Sequence, residues 1–266
     1  GPLILHNNRK AMLLDFIDGA VPGQDILANE ASSAKVPKLL SDLAVALAQL
    51  HGISWPSERP LRDIYTGFPV CGTGDYLRGE ELDALQKSDF KEHPFVLYAI
   101  EKLAWLRQLY KLELPWGLIH GDAFLDNTLY EDGEAGSDFC KLKALVDWED
   151  SCMGPFVLDL AVCCSACAFT AANELMPERL EILYRAYVAQ KPLVEKERQA
   201  FPDFMLAGAL ACAFYRFTEF NVRKPDSAAD AKECYNLMFQ RAKLLEKGGA
   251  ARQVAESVLQ QFASES

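Results

Sequence analysis

An α+β fold is what this sequence predicts: a mainly helical body, a small β region in its middle and a β fragment at its start. Three observations carry that expectation. Apolar residues recur at helical spacing in two long early windows. From Gly117 to Asp150 the pattern changes to short apolar runs separated by polar turns. From Leu158 onward it is helical again almost to the end. The 266 residues are enough for one large domain, or for a domain with a smaller appendage.

Taken in order, Leu3 to Leu5 and Ala11 to Ile17 are apolar runs separated by the turn-forming pair Asn7-Asn8, which predicts a hairpin broken at Asp18-Gly19. Leu39, Leu40, Leu43, Val45, Leu47 and Leu50 share a helical repeat, and His51-Gly52 stops it. Residues 53–75, rich in Pro, Gly and Ser, read as an extended connection. Val96, Ile100, Leu103, Leu106 and Tyr110 predict a helix over Phe95 to Leu112, closed by Pro115. In the long helical remainder, breaks are expected at Pro177, Pro192, Pro202 and Pro225.

The composition excludes several function classes. Half of the residues are hydrophobic and 24% charged, so the chain is not disordered as a whole. The net charge of −11 repels nucleic-acid backbones and anionic lipid, and no basic block offsets it. No apolar stretch is long enough to span a bilayer and no targeting segment is visible, so a cytoplasmic protein without membrane or nucleic-acid partners is expected. The eight cysteines lack zinc-site spacing; Cys163 and Cys167 read as small packing residues of a buried helix.

Chemistry concentrates in Leu118-Ile119-His120-Gly121-Asp122-Ala123-Phe124-Leu125-Asp126-Asn127-Thr128-Leu129-Tyr130. An apolar run enters, a polar loop fills the centre and an apolar strand leaves; a second strand, Leu142 to Val146, ends in Asp147. A hairpin of this form brings Asp122, Asn127 and Asp147 together. Two carboxylates and an amide are oxygen ligands suited to a hard cation such as Mg2+. Phosphoryl transfer needs such a set, a carboxylate to accept the hydroxyl proton and metal ligands to neutralise the transferring phosphate. Asp126 reads as a loop-holding residue.

His-Gly-Asp-x-x-x-x-Asn before an apolar strand, then Val-Asp-Trp-Glu and Gly-Pro-x-x-x-Asp-Leu-Ala, resembles the signature of the aminoglycoside phosphotransferase and choline kinase superfamily, closely over Leu118 to Ala161 and loosely beyond. The resemblance implies a protein-kinase-like fold, ATP and Mg2+ as cofactors, and a small-molecule hydroxyl acceptor. It gives Asp122 the role of base and Asn127 and Asp147 the metal. His120 becomes a brace of the catalytic loop, and Asp159 an anchor of that loop from the following helix. Glu149 reads equally as a surface residue or as a support of the site.

A complete kinase of this kind carries a β-rich lobe with a glycine-rich loop and a lysine–glutamate pair. Here residues 1–19 resemble only its last strand and the hinge, where Asp15, Phe16 and Ile17 would meet adenine; residues 20–266 form the helical catalytic lobe. The expectation is a kinase lacking most of that lobe and weak in catalysis by itself. For the acceptor, Phe214-Tyr215-Arg216-Phe217 with Glu219-Phe220, Tyr184-x-x-Tyr187 and Ala48-Gln49-Leu50-His51 resemble homoserine kinases of the superfamily, and Arg216 is the candidate partner of a substrate carboxylate. The alternatives are an aminoglycoside or choline/ethanolamine-type kinase, and a nucleotide-binding chain without turnover. A purely structural scaffold would have no use for Asp122 and Asp147 in register.

Overall fold

A computed structural model describes residues 3–6, 9–12, 16–29, 34–55, 73–133 and 139–263. The expected opening hairpin is present as β1 (Leu3–His6) and β2 (Arg9–Met12), paired antiparallel from Leu3↔Met12 to His6↔Arg9. Residues 13–15 of the predicted second run lie outside the described residues. A further strand, β3 (Ala20–Pro22), and a short helix, α1 (Gly23–Asn29), follow, neither of which the sequence reading included.

Helix α2 (Lys35–Leu50) buries Leu39, Leu40, Leu43, Leu47 and Leu50 of the predicted stripe, with Ala44 beside them and Val45 only half-buried, and ends before His51. Lys35, almost fully buried in its first turn, bonds Asp132 at 2.9 Å and ties the helix start to the central hairpin. Of the expected extended connection, residues 56–72 lie outside the described residues, and its end is corrected: Thr73 already begins α3 (Thr73–Arg78), and α4 (Glu80–Leu85) follows. Helix α5 (Pro94–Leu109) is the predicted one; Pro94 opens it, where a missing N–H is harmless, and His93 caps it by accepting the Phe95 N–H.

The β region is two small antiparallel sheets. In one, β4 (Trp116–Ile119) pairs with β7 (Cys152–Pro155); in the other, β5 (Thr128–Asp132) lies between β3 and β6 (Cys140–Leu145). The predicted hairpin is therefore β5–β6. Then α6 (Phe156–Cys167) runs through the core, with Cys163, Cys164 and Cys167 buried in it. It packs against α2, α7 (Pro177–Gln190) and α8 (Glu195–Phe217). A π-helical turn over Thr218–Arg223, α9 (Ala229–Glu233), α10 (Tyr235–Leu244) and α11 (Ala250–Ala263) complete the chain.

Pro177, Pro192 and Pro225 do sit at helix boundaries, but Pro202 lies inside α8 and does not break it. A proline there costs about 3 kcal/mol. Burial of Ala200, Phe201, Pro202, Phe204 and Met205 in the same stretch offsets that, since each large side chain removed from water contributes roughly 1.5–3 kcal/mol. Among the described residues, no helix is long and apolar enough to cross a membrane.

Candidate active site

Strand β4 delivers its last residue, Ile119, into the core, and the chain then turns sharply. Gly121 takes φ +86°, a conformation open to glycine without a Cβ clash. The turn exposes the His120 and Gly121 backbone N–H groups, and Asp159 in the first turn of α6 receives both, at 2.8 Å each, on its two carboxylate oxygens. Asp159 is fully buried, and His51 Nε2 lies 2.9 Å from its Oδ2. Tyr187 completes the chain, its hydroxyl 2.7 Å from His51 Nδ1. Burial raises the Tyr187 pKa far above its ordinary value, so the phenol keeps its proton, and the His51 ring bridges it to the Asp159 carboxylate. Burial alone would raise the Asp159 pKa, but hydrogen bonding and charge from His51, with those from His120, hold it below the ordinary carboxylate value.

His120 braces the loop a second way. Its Nε2 meets the Val146 carbonyl at 2.9 Å, its Nδ1 accepts the Asp122 N–H at 3.3 Å, and its ring lies 4.7 Å from that of Trp148. One imidazole thus links the loop after β4 to the end of β6.

Two of the three predicted oxygen-bearing residues, Asp122 and Asn127, touch beside that link, and the chain leading to the third bonds to them through its backbone. Asn127 Nδ2 donates to both the Asp122 carbonyl, at 2.7 Å, and the Asp122 Oδ2, at 2.8 Å. The Asn127 carbonyl accepts the Val146 N–H at 3.0 Å, so Asp147 is the residue next to a direct bond with Asn127. Asp147 itself sits in the left-handed region, φ 61° and ψ 59°, where Asp is tolerated better than most residues. Trp148 Nε1 closes the turn on the Leu145 carbonyl at 2.8 Å. Among the described residues no three His, Cys, Asp or Glu side chains form a metal cluster. A site here therefore has to count the Asn127 amide. Glu149 is exposed.

Phe16 and Ile17 lie just before β3, with Phe16 almost wholly exposed; Asp15 lies outside the described residues. Arg216, on the last turn of α8, reaches the Cys234 carbonyl at 3.5 Å and lines a cavity of about 530 Å³ together with Asp126. Cys212, then Cys234, Asp122 and Asp126, raise its pKa against the effect of burial. Burial pushes the Cys212 thiol up to about 11, so at neutral pH the two carboxylates are the negative charges that Arg216 feels. Sequence reasoning missed His51 and Tyr187 as members of the site, and Arg179 and Arg241 as further walls of the cavity. The Ala-Gln-Leu-His ending of α2 contained the first of these signals.

The architecture is that of a kinase-like fold. A choline/ethanolamine kinase family protein from Mesorhizobium loti superposes over 97% of this chain and 77% of its own, with a TM-score of 0.63 at 17% identity. A family model described as the phosphotransferase enzyme family matches residues 5–194, and the chain belongs to that family. It is similar to homoserine kinases, 27% identical to that of Methylocella silvestris over 92% of this chain and 69% of the relative. It is 32% identical to that of Parvibaculum lavamentivorans over 74% of this chain and 57% of the relative. The chain thus spans roughly three-fifths of the length of such relatives.

Proposed function

We propose that the chain is the catalytic lobe of a small-molecule kinase that transfers the γ-phosphoryl group of ATP to the hydroxyl of homoserine. Residues 20–266 form that lobe, and residues 1–19 the end of the nucleotide-binding lobe and the hinge, where the backbone around Asp15, Phe16 and Ile17 meets adenine. The observation that supports the reading is the pair of hydrogen bonds from Asn127 Nδ2 to Asp122, with the Val146 N–H on the Asn127 backbone carbonyl tying the residue before Asp147 to the same loop.

In this reading Asp122 accepts the proton of the acceptor hydroxyl, and the Asn127 amide N–H holds the carboxylate in the orientation for it. Asn127 uses Nδ2 for both contacts, and in this reading its Oδ1 and the Asp147 carboxylate serve the metal. An amide oxygen and a carboxylate fit Mg2+, which takes few protein ligands and keeps waters and substrate phosphates. When bound, Mg2+ supplies charge neutralisation on the phosphoryl oxygens. His120 and Asp159 fix the loop backbone, so that Asp122 keeps its place while the acceptor comes and goes.

Homoserine as acceptor is supported by the names of the relatives and by Arg216 beside the loop, a cation for a carboxylate. The test is ATP consumption by the full-length protein with homoserine, choline, ethanolamine and an aminoglycoside in parallel. Homoserine is expected to give the largest kcat/KM; a higher value for any of the other three refutes the substrate assignment. In the same assay Asp147→Asn is expected to raise the Mg2+ concentration for half-maximal rate by roughly tenfold or more, as lost metal contacts do, with little change in homoserine KM. An unchanged Mg2+ requirement removes Asp147 from the metal.

A further inference from the structure

The cavity beside the catalytic loop has a charge opposite to that of the chain. Acidic residues outnumber basic ones 38 to 27 in the sequence, yet this cavity presents Arg179, Arg216 and Arg241 against one carboxylate, Asp126. Its floor is apolar, with Phe124 and Leu125 of the loop on one side and Met238 on the other. At about 530 Å³ it is large enough for a small metabolite.

The three arginines differ in what they can offer. Arg241 is buried, and its guanidinium is taken up by the carbonyls of Ser165, Ala166 and Thr170 and by Asn173 Oδ1. None of those partners is a carboxylate, so the group brings an uncompensated positive charge to the wall, with few N–H groups to spare. Burial pulls its pKa down to about 10, which still leaves it charged at neutral pH. Arg216, from α8, lines the cavity and feels the charge of Asp122. Arg179, in the first turn of α7, is half-buried and can adjust to a ligand. A cationic amino alcohol entering here meets three guanidinium groups; a carboxylate meets two that can bond it bidentately and a third that favours it electrostatically.

We propose that this cavity is a carboxylate subsite for the acceptor, in which Arg179 and Arg216 hold the anionic end of a short hydroxy acid and Arg241 supplies a fixed positive background. The placement rests on the kinase reading above, since Asp122 defines where the hydroxyl must lie. With the carboxylate on the arginines, the hydroxyl end extends along Phe124 toward Asp122. Any ammonium group faces Asp126 at the loop edge. Specificity then comes from charge: acceptors without a carboxylate leave the arginines facing one another.

Three probes of matched chain length separate the groups: L-homoserine, 4-hydroxybutyrate, which lacks the amine, and 3-amino-1-propanol, which lacks the carboxylate. Calorimetric titration into the full-length protein is expected to show both carboxylates binding, and 3-amino-1-propanol binding roughly tenfold more weakly or worse, the scale of a lost charged hydrogen bond. Arg179→Ala, at a partly exposed helix start, is expected to weaken both carboxylates by a similar factor while leaving the ATP Kd unchanged; Arg216→Gln is the second variant. The proposal is overturned if 3-amino-1-propanol binds as tightly as homoserine, if Arg179→Ala binds carboxylates normally, or if neither carboxylate binds. Arginine-dependent carboxylate binding without phosphoryl transfer would instead uphold the subsite and refute the kinase reading. Turnover of homoserine that is indifferent to Arg179 and Arg216 would do the reverse.

Discussion

Asp122→Asn is expected to lower kcat by roughly 10³-fold, the middle of the range for removing a positioned general base. The change keeps the size and shape of the side chain, and an amide oxygen can still accept the Asn127 Nδ2 hydrogen bond now made at 2.8 Å. What disappears is the basic oxygen and the negative charge. Stability should therefore change by no more than about 1 kcal/mol, since the isosteric swap keeps the packing and the Asn127 bond. Binding of ATP should also persist, because Asp122 is not among the residues proposed to hold Mg2+ or adenine. Product formation by the full-length protein, with urea unfolding of both forms, is the check. A variant that keeps more than a tenth of the wild-type kcat would mean that another group takes the proton, and the loop would have to be reassigned.

Much of this arrangement is legible in the sequence because it is local. The His-Gly-Asp-x-x-x-x-Asn loop, the strand that leaves it and the strand ending in Asp147 are neighbours along the chain, and a hairpin has few ways to fold. The stripe of α2 is equally plain, since six apolar positions at helical spacing leave little choice. The short elements are not. β7 reads Cys-Met-Gly-Pro, a sequence with turn-forming residues that becomes a strand only because β4 pairs with it from Trp116↔Pro155 to Ile119↔Cys152. β3 is three residues long and exists through its pairing with β5. The proline inside α8 shows tertiary burial overriding a local rule. Least legible of all is the cavity, whose arginines come from three helices far apart in sequence; each, taken alone, reads as a charge on a solvated face.

Asp159→Ala is expected to cost about 3–5 kcal/mol of folding stability and most of the activity, although the residue touches no substrate in the proposed mechanism. The carboxylate is the common acceptor for the His120 N–H, the Gly121 N–H and His51 Nε2, all buried. Removing one side of a buried, hydrogen-bonded charge leaves donors that water cannot reach, and that loss is of the stated size. His51 could not turn elsewhere, since its other nitrogen faces Tyr187 and its ring stacks on Phe156 at 4.7 Å. Phe156 in turn has no room to withdraw, because a Cβ on Gly117 would already collide with its ring. The catalytic loop would thus lose its anchor while the helices around it stay packed, so activity should fall even where the variant is still folded. The same group gives a pH signature. Its folded pKa lies below the unfolded value near 3.8, so its contribution is complete above that value and is lost as pH falls through the folded pKa. Asp159→Asn should therefore unfold at a lower urea concentration than the wild type at pH 7, and the gap should narrow below about pH 4 as the unfolded wild-type carboxyl takes up its proton. Equal urea midpoints at pH 7, with activity intact, would show that the loop is held by something other than this carboxylate.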